Sequence, residues 1–325
     1  MTLRVGIVGC GGIAARHTGA VAALPQVMTL TACCGRDSAR TEAFAAQHGG
    51  RAFTDLDAMI DVGIDIAIVT IPPYARGGEV EHLAARGVHL LVEKPIALNM
   101  AAARAMTDAV AASGVIAAIG FMYRHGDAVR RWGAADTGPI GLFAGTYHCN
   151  ALHADWWRER AKSGGQIVEQ VIHQIDLIRH VMGEPDTVYA RMANLFHRGV
   201  PRYDVEDVSV IVFGWDDGRI ATLNASNIAV PGVWHKDWAI YAERMTGRFT
   251  GWNDAVLTRT DGANATETIA GDTDPFVAQL ADLSRAIRGG DQPYVPLSEG
   301  VGSLRLALAA VQSAREGREI RLDDV

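Results

Sequence analysis

With 325 residues, 49% of them hydrophobic and 21% charged, the chain is too long for one ordinary core and reads as a soluble globular protein of two domains. A formal net charge of -7 with no basic run argues against nucleic acid or an anionic membrane as partner and points to small molecules. The N-terminal apolar stretch is too short for a signal peptide and no segment approaches the roughly 18 apolar residues of a membrane span, so a cytoplasmic location is expected.

From Leu3 to about residue 120, short β-branched runs alternate with alanine-rich stretches, a pattern that predicts a parallel sheet covered on both faces by helices. Strands are read at Leu3–Val8, Met28–Cys34, Ala52–Phe53, Ile64–Thr70, His89–Val92 and Val115–Ile119. Asp37 or Ser38 caps the helix that runs through His48, and Asn99 caps a helix over Ala101–Ser113. After Gly120 the texture changes. A strand over Leu142–Asn150 and a helix from about Ile167 to Met182 lead into several alternating strands through about Ile269, and two helices close the chain. Asp207–Phe213 and Arg219–Ala225 flank a turn at Gly214–Gly218, which predicts an antiparallel hairpin. The second half is therefore a mixed domain whose sheet has one helix-covered face, leaving the other for solvent or another subunit. A homodimer or homotetramer through that sheet is expected.

The first strand runs into Gly9-Cys10-Gly11-Gly12-Ile13-Ala14, a match to G-x-G-x-x-G/A in the strand, turn and helix context that gives it weight. Gly9 permits the tight turn, Gly11 lets backbone approach a pyrophosphate, and Ala14 keeps the helix close to the sheet. The second strand ends in Cys34-Gly35-Arg36-Asp37, where a carboxylate on the ribose hydroxyls would favour NAD. Gly35 and Arg36, with Ser38 and Arg40 near, offer room and positive charge instead, so NADP is favoured. NAD is restored if Asp37 reaches back to the ribose. Thr70 at the end of the fourth strand, Pro72 just after it, and Glu93 and Lys94 complete the expected cofactor contacts.

Only three lysines, Lys94, Lys162 and Lys236, stand against 27 arginines. One of them ends a buried strand in Glu93-Lys94-Pro95, at the sheet edge where open α/β proteins bind ligands. An amine can shift its pKa and move a proton where guanidinium cannot, which makes Lys94 a catalytic candidate. A second candidate lies in Gly164-Gly165-Gln166-Ile167-Val168-Glu169-Gln170-Val171-Ile172-His173-Gln174-Ile175-Asp176. On a helix Glu169, His173 and Asp176 project from one face. Three ligands along one helix cannot close on a single ion unaided, and the four cysteines, Cys10, Cys33, Cys34 and Cys149, lack zinc-site spacing. No metal is expected, and the cysteines should be reduced and mostly buried.

The fingerprint, Glu-Lys-Pro and Gly-Gly-x-x-x-Glu-x-x-x-His-x-x-Asp together resemble the glucose–fructose oxidoreductase, inositol dehydrogenase and rhizopine-catabolism (Gfo/Idh/MocA) family. The resemblance extends to Gly120-Phe121-Met122-Tyr123-Arg124, the hairpin after Glu206-Asp207 and the closing helices Ala281–Gly290 and Leu304–Gly317. It implies an α/β Rossmann domain over 1–122 that binds NAD or NADP. It also implies an α+β domain over 123–325, with a large open, mostly antiparallel sheet, for substrate and oligomerisation. Lys94 would contact the reacting oxygen and His173 would exchange its proton, and the Lys94–Pro95 peptide is expected to be cis. Where the family usually has aspartate this chain has Glu169, one methylene longer, still able to orient the imidazole or bind a hydroxyl. Asp176 either holds the helix or contacts substrate, Tyr123 and Arg124 are expected to contact nicotinamide or substrate, and Trp157 and Arg158 to line the substrate pocket.

The implied reaction moves hydride between nicotinamide and a secondary hydroxyl, or its ketone, of a sugar, cyclitol or related polyol. A histidine of near-neutral pKa suits the accompanying proton transfer, and an ammonium stabilises the developing alkoxide. Oxidation of non-sugar diols and transient hydride transfer in an NAD-assisted glycosidase use the same residues, whereas a non-catalytic regulator would tend to lose them. The sugar itself depends on loops such as Ala151–Gly165 and Val230–Trp238, which carry no readable motif.

Overall fold

β1 (Leu3–Val8) is an apolar strand whose last four residues are all buried, as a central parallel strand covered on two faces requires. The structure, a computed structural model, describes residues 2–150, 154–262 and 265–324, so part of the 151–165 loop lies outside the described residues. The chain divides into two compact units, Met1–Met122 with Asp274–Val301, and Tyr123–Thr273 with Gly302–Val325.

In the first unit, β1 is joined by β2 (Met28–Cys34), β3 (Arg51–Phe53), β4 (Ile66–Val69), β5 (His89–Val92) and β6 (Ala117–Ile119). Their order is β3-β2-β1-β4-β5-β6, every neighbouring pair parallel, and the strand order reverses between β1 and β4. That reversal opens the crevice used by dinucleotides in this architecture. Four helices of this half are α1 (Gly12–Ala22), α2 (Ser38–His48), α3 (Leu56–Asp61) and α4 (Glu79–Ala85), and α5 (Met100–Ser113) is the fifth. The Asp37 and Asn99 side chains accept from Arg40 N and Ala102 N, the capping geometry expected of them.

The expectation of one continuous second domain over 123–325 needs correction. Asp274–Val301 returns to the first unit, where the Leu297 amide donates to Ala117 and Ile119 donates to Val295, extending the sheet edge beyond β6. The helix of that segment begins at Pro275, with Asp274 accepting from Phe276 N and Val277 N, earlier than the apolar pattern suggested.

The second unit begins with α6 (Asp127–Gly133) and β7 (Ile140–His148), then α7 (Arg160–Ser163) and α8 (Ile172–Met182). β8 (Thr187–Ala193), β9 (Val208–Gly214), β10 (Ile220–Ser226), β11 (Trp238–Ala242), β12 (Met245–Phe249), β13 (Asp254–Arg259) and β14 (Thr266–Ala270) follow. After α9 (Pro275–Gly289) and α10 (Glu299–Glu316), a short β15 (Ile320–Arg321) pairs with β8; no strand was expected there. The nine strands run β14-β13-β12-β11-β7-β10-β9-β8-β15, antiparallel except for β7 with β10. β9 and β10 form the expected hairpin. Alternation along these strands buries one face and leaves Val210, Ile220, Tyr241 and Val256 exposed on the other. Among the described residues no helix is long and apolar enough to cross a membrane.

Candidate active site

Gly9 ends β1 with φ +100°, and a Cβ there would meet Ile71 N at 2.9 Å, so only glycine makes this turn without strain. Thr70 holds the turn from below, its hydroxyl donating to Val8 O at 3.1 Å and also to Gly9 O. Gly11 stands at the N-cap of α1, and a Cβ on Gly11 or Gly12 would meet nothing within 4 Å. Ala14 is fully buried against the sheet, and Ile13 is exposed beside the turn. Open backbone at a helix N-terminus fits a diphosphate. Thr70 acts here by bracing the turn, and Pro72 precedes the short 3-10 turn Pro73–Ala75 at the same sheet edge.

At the end of β2, a Cβ on Gly35 would come within 2.6 Å of Thr41 Oγ1, so a side chain at this position would have to displace the Thr41 hydroxyl. Asp37 spends one oxygen on the Arg40 amide, at 3.0 Å, and the Ser38 hydroxyl donates to Glu42 at 2.7 Å. The Arg36 and Arg40 side chains are exposed.

The lysine turn is built from the inside of the first unit. Glu93, expected among the cofactor contacts, is instead buried: its Oε1 meets His17 Nε2 of α1 at 2.8 Å and its Oε2 accepts from the Lys94 amide at 3.1 Å. Burial alone would push this carboxyl up, but the hydrogen bond and charge of His17 and the charge and amide of Lys94 leave it below the usual range. Arg76 clamps the same turn, with Nη2 on Glu93 O at 2.6 Å, Nη1 on Pro95 O and Ile96 O at 2.6 and 2.7 Å, and Nε on Ile71 O at 3.1 Å. Burial lowers its pKa to about 10, which leaves it a cation at neutral pH. The Lys94–Pro95 peptide is cis, as expected, and the half-buried Lys94 is thereby carried on a backbone tied at both ends. The sequence marks neither His17 nor Arg76. His17 lies eight residues past Gly9 inside a helix and Arg76 in a turn, and neither position carries a motif.

In the second unit the expected single helix begins as a π-turn over Ile167–Val171 and becomes α8 at Ile172. Such turns insert one residue and recur at functional sites. The buried Glu206 anchors it, accepting from Ile167 N and from Arg160 Nη2, each at 2.7 Å. Glu169 lies in the π-turn and accepts from the Trp157 indole at 2.9 Å. Trp157 is packed with Tyr203 and Val205, so it supports the carboxylate from a core position rather than offering its face to a ligand. His173 is buried on α8, with the Tyr123 ring stacked on it at 4.6 Å and 10°. The Tyr123 hydroxyl is buried with no hydrogen-bond partner among the described residues, and burial raises its pKa.

Arg124 and Asp176, both expected at the substrate, are committed to each other. The guanidinium donates from Nε and Nη2 to the carboxylate at 2.8 and 2.6 Å, both side chains are buried, and Ser303 adds a bond to Asp176 at 3.1 Å. This is the helix-holding alternative for Asp176. Arg158 forms an ion pair with Asp155 at 3.3 Å, on the partly exposed turn Asp155–Arg158.

Residues 3–121 match the family model for the oxidoreductase family with an NAD-binding Rossmann fold, and residues 130–246 match the GFO/IDH/MocA C-terminal domain. Inositol 2-dehydrogenase of Rhizobium meliloti (strain 1021) is 27% identical, with 99% of this chain and all of that protein covered. D-xylose 1-dehydrogenase (NADP(+)) 2 of Haloferax volcanii is 26% identical over 98% of this chain and 99% of its own length. Among solved structures, levoglucosan dehydrogenase in complex with NADH and levoglucosan superposes with a TM-score of 0.90 at 19% identity, covering 99% of this chain and 100% of that one. Together with the diphosphate-fitting turn, the clamped lysine and the helix bearing His173, these matches place the protein: the chain belongs to the GFO/IDH/MocA family of oxidoreductases.

Proposed function

We propose that the protein is an NAD(P)-dependent oxidoreductase that transfers hydride between the nicotinamide and a secondary hydroxyl, or the corresponding ketone, of a sugar, cyclitol or related polyol. The observation that carries this reading is the lysine turn, where four hydrogen bonds from Arg76 and a buried His17–Glu93 pair are spent on fixing the backbone of one amine. The nicotinamide, when bound, supplies the hydride acceptor or donor. Lys94 donates to the reacting oxygen and stabilises its negative charge, and His173 exchanges the hydroxyl proton. Glu169 orients the imidazole or a substrate hydroxyl, and Tyr123 holds the ring plane by stacking. The second unit carries the substrate contacts and, through its exposed apolar sheet face, the contacts of a homodimer or homotetramer that works in the cytoplasm.

NADP(H) is the favoured cofactor. Arg36 and Arg40 supply exposed positive charge beside Gly35, while Asp37 is engaged in capping α2. A higher kcat/KM for NADH than for NADPH would overturn that choice.

The test of the reaction is a reduced-nucleotide absorbance screen over cyclitols, aldoses and keto-sugars with wild type and Lys94→Ala. The substitution should lower turnover by at least about 10²-fold while the protein still binds nucleotide. Tight nucleotide binding by a wild type that reacts with none of these compounds, or undiminished turnover in Lys94→Ala, would sink the reading.

A further inference from the structure

Lys236 lies on the loop between β10 and β11, and its backbone is held on both sides. His235 exchanges two backbone bonds with His148, at 2.8 and 2.9 Å, and Asp237 O accepts from the Thr146 amide at 2.8 Å. The Gln174 side chain of α8 reaches the same place, donating to Thr146 O at 2.8 Å. The side chain therefore projects from an anchored point beside β7. Its ammonium stands 5.0 Å from the Trp234 ring centroid, 5.5 Å from Trp252 and 5.6 Å from Tyr147.

This corner belongs to the same neighbourhood as the helix candidates. The Trp252 ring is 4.8 Å from Tyr123, the residue that stacks on His173. Burial lifts the Cys149 thiol to about 12, and within that shift the charge of Lys236 pulls it down while Glu169 pushes it up. One thiol thus senses both the ammonium and the carboxylate.

The residue type is informative. A chain with 27 arginines and three lysines has placed a lysine against aromatic rings, where guanidinium stacks better. What ammonium offers instead is a compact charge with three donors. Aromatic walls exclude water from part of its surroundings and strengthen its attraction for an anion. Trp234 remains exposed at the outer wall, with Val230 and Val233 next to it, giving an apolar face of the kind that the C–H surface of a sugar ring covers. A single ammonium balances the one negative charge of a carboxylate and leaves a phosphate dianion only half neutralised.

We propose that Lys236 determines substrate specificity by binding the carboxylate of an acidic sugar, of the uronate or aldonate class, whose ring lies against the surrounding tryptophans. This rests on the oxidoreductase reading and narrows its substrate. The experiment compares wild type, Lys236→Met and Lys236→Arg as nucleotide-bound protein with two matched pairs, glucose with glucuronate and galactose with galacturonate. Turnover gives kcat/KM, and quenching of tryptophan fluorescence gives affinity without requiring catalysis. Wild type should favour the uronates by about 10- to 100-fold, the value of a charge-assisted bond. Lys236→Met should remove that preference with little effect on neutral sugars, Lys236→Arg should keep part of it, and added salt should weaken only the uronates.

Equal affinity of wild type for acidic and neutral sugars overturns the proposal, as does a Lys236→Met variant that weakens both alike, since the lysine then serves the rings or Glu169. Turnover of neutral sugars without uronate preference defeats this inference and leaves the oxidoreductase standing. Selective uronate binding without turnover of any sugar does the reverse.

Discussion

His17 is a helix residue whose whole exposed surface is lost to the interior, and it faces a carboxylate at 2.8 Å. A buried carboxylate that loses such a partner keeps its desolvation cost, so His17→Ala should destabilise the first unit by about 2–3 kcal/mol. Because Glu93 also holds the Lys94 amide, kcat should fall more than nucleotide affinity, and His17→Gln, which keeps an N–H donor, should restore part of both stability and kcat. Equal kcat in wild type and His17→Ala would show that the pair only supports the fold. The pH dependence follows from the direction of the shift. Glu93 is depressed in the folded protein, so its contribution is fully present above the unfolded carboxyl pKa and is lost as pH falls through the lower folded value. Glu93→Gln should flatten that acid limb in melting temperature measured against pH.

The π-turn over Ile167–Val171 is the element on which Glu169 is aimed, and Glu206 is what holds its start. Removing that carboxylate frees the Ile167 amide and leaves the Arg160 guanidinium without its buried partner. Glu206→Ala should cost about 3 kcal/mol, and it should lower kcat because the turn is free to relax toward a regular helix. Circular-dichroism melts combined with turnover test this, and an unchanged kcat in the folded variant would mean that Glu169 does not depend on the turn. The lysine turn is shaped differently, by backbone carbonyls converging on Arg76 rather than by a helix cap. Glu169 and Lys94 thus rest on unrelated devices, one per unit.

For the whole molecule, the open face of the nine-stranded sheet is the feature without an internal explanation. Val210, Ile220, Tyr241 and Val256 are exposed together on a surface whose opposite face is buried, and such a sheet face favours association with another copy. Tyr241→Glu with Val256→Glu should lower the molar mass measured by light scattering after size exclusion, with the nucleotide site retained. A wild type that already runs as a monomer would remove this reading. The return of Asp274–Val301 to the first unit also bears on truncation, since a fragment ending at Met122 would lack the segment that extends the sheet edge beyond β6.

Much of this was legible in the chain because it depends on short-range chemistry. The glycine turn, the caps at Asp37 and Asn99, the β9–β10 hairpin and the lysine before Pro95 each follow from local sterics, hydrogen bonding or side-chain period, and each lies within a few residues. The sequence thereby determined the class of fold, the dinucleotide turn and the principal catalytic candidates. Only tertiary structure decided how those candidates are supported. His17 meets Glu93 across 76 positions and Arg124 meets Asp176 across 52, so no spacing rule reaches them. Arg124, Asp176 and Trp157 look like ligand contacts in one dimension and prove to be buried supports, because polar groups removed from water must find partners and the fold supplies them from within. The aromatic corner around Lys236 arises in the same way, from β7, a loop and the Trp252 turn that only packing brings together.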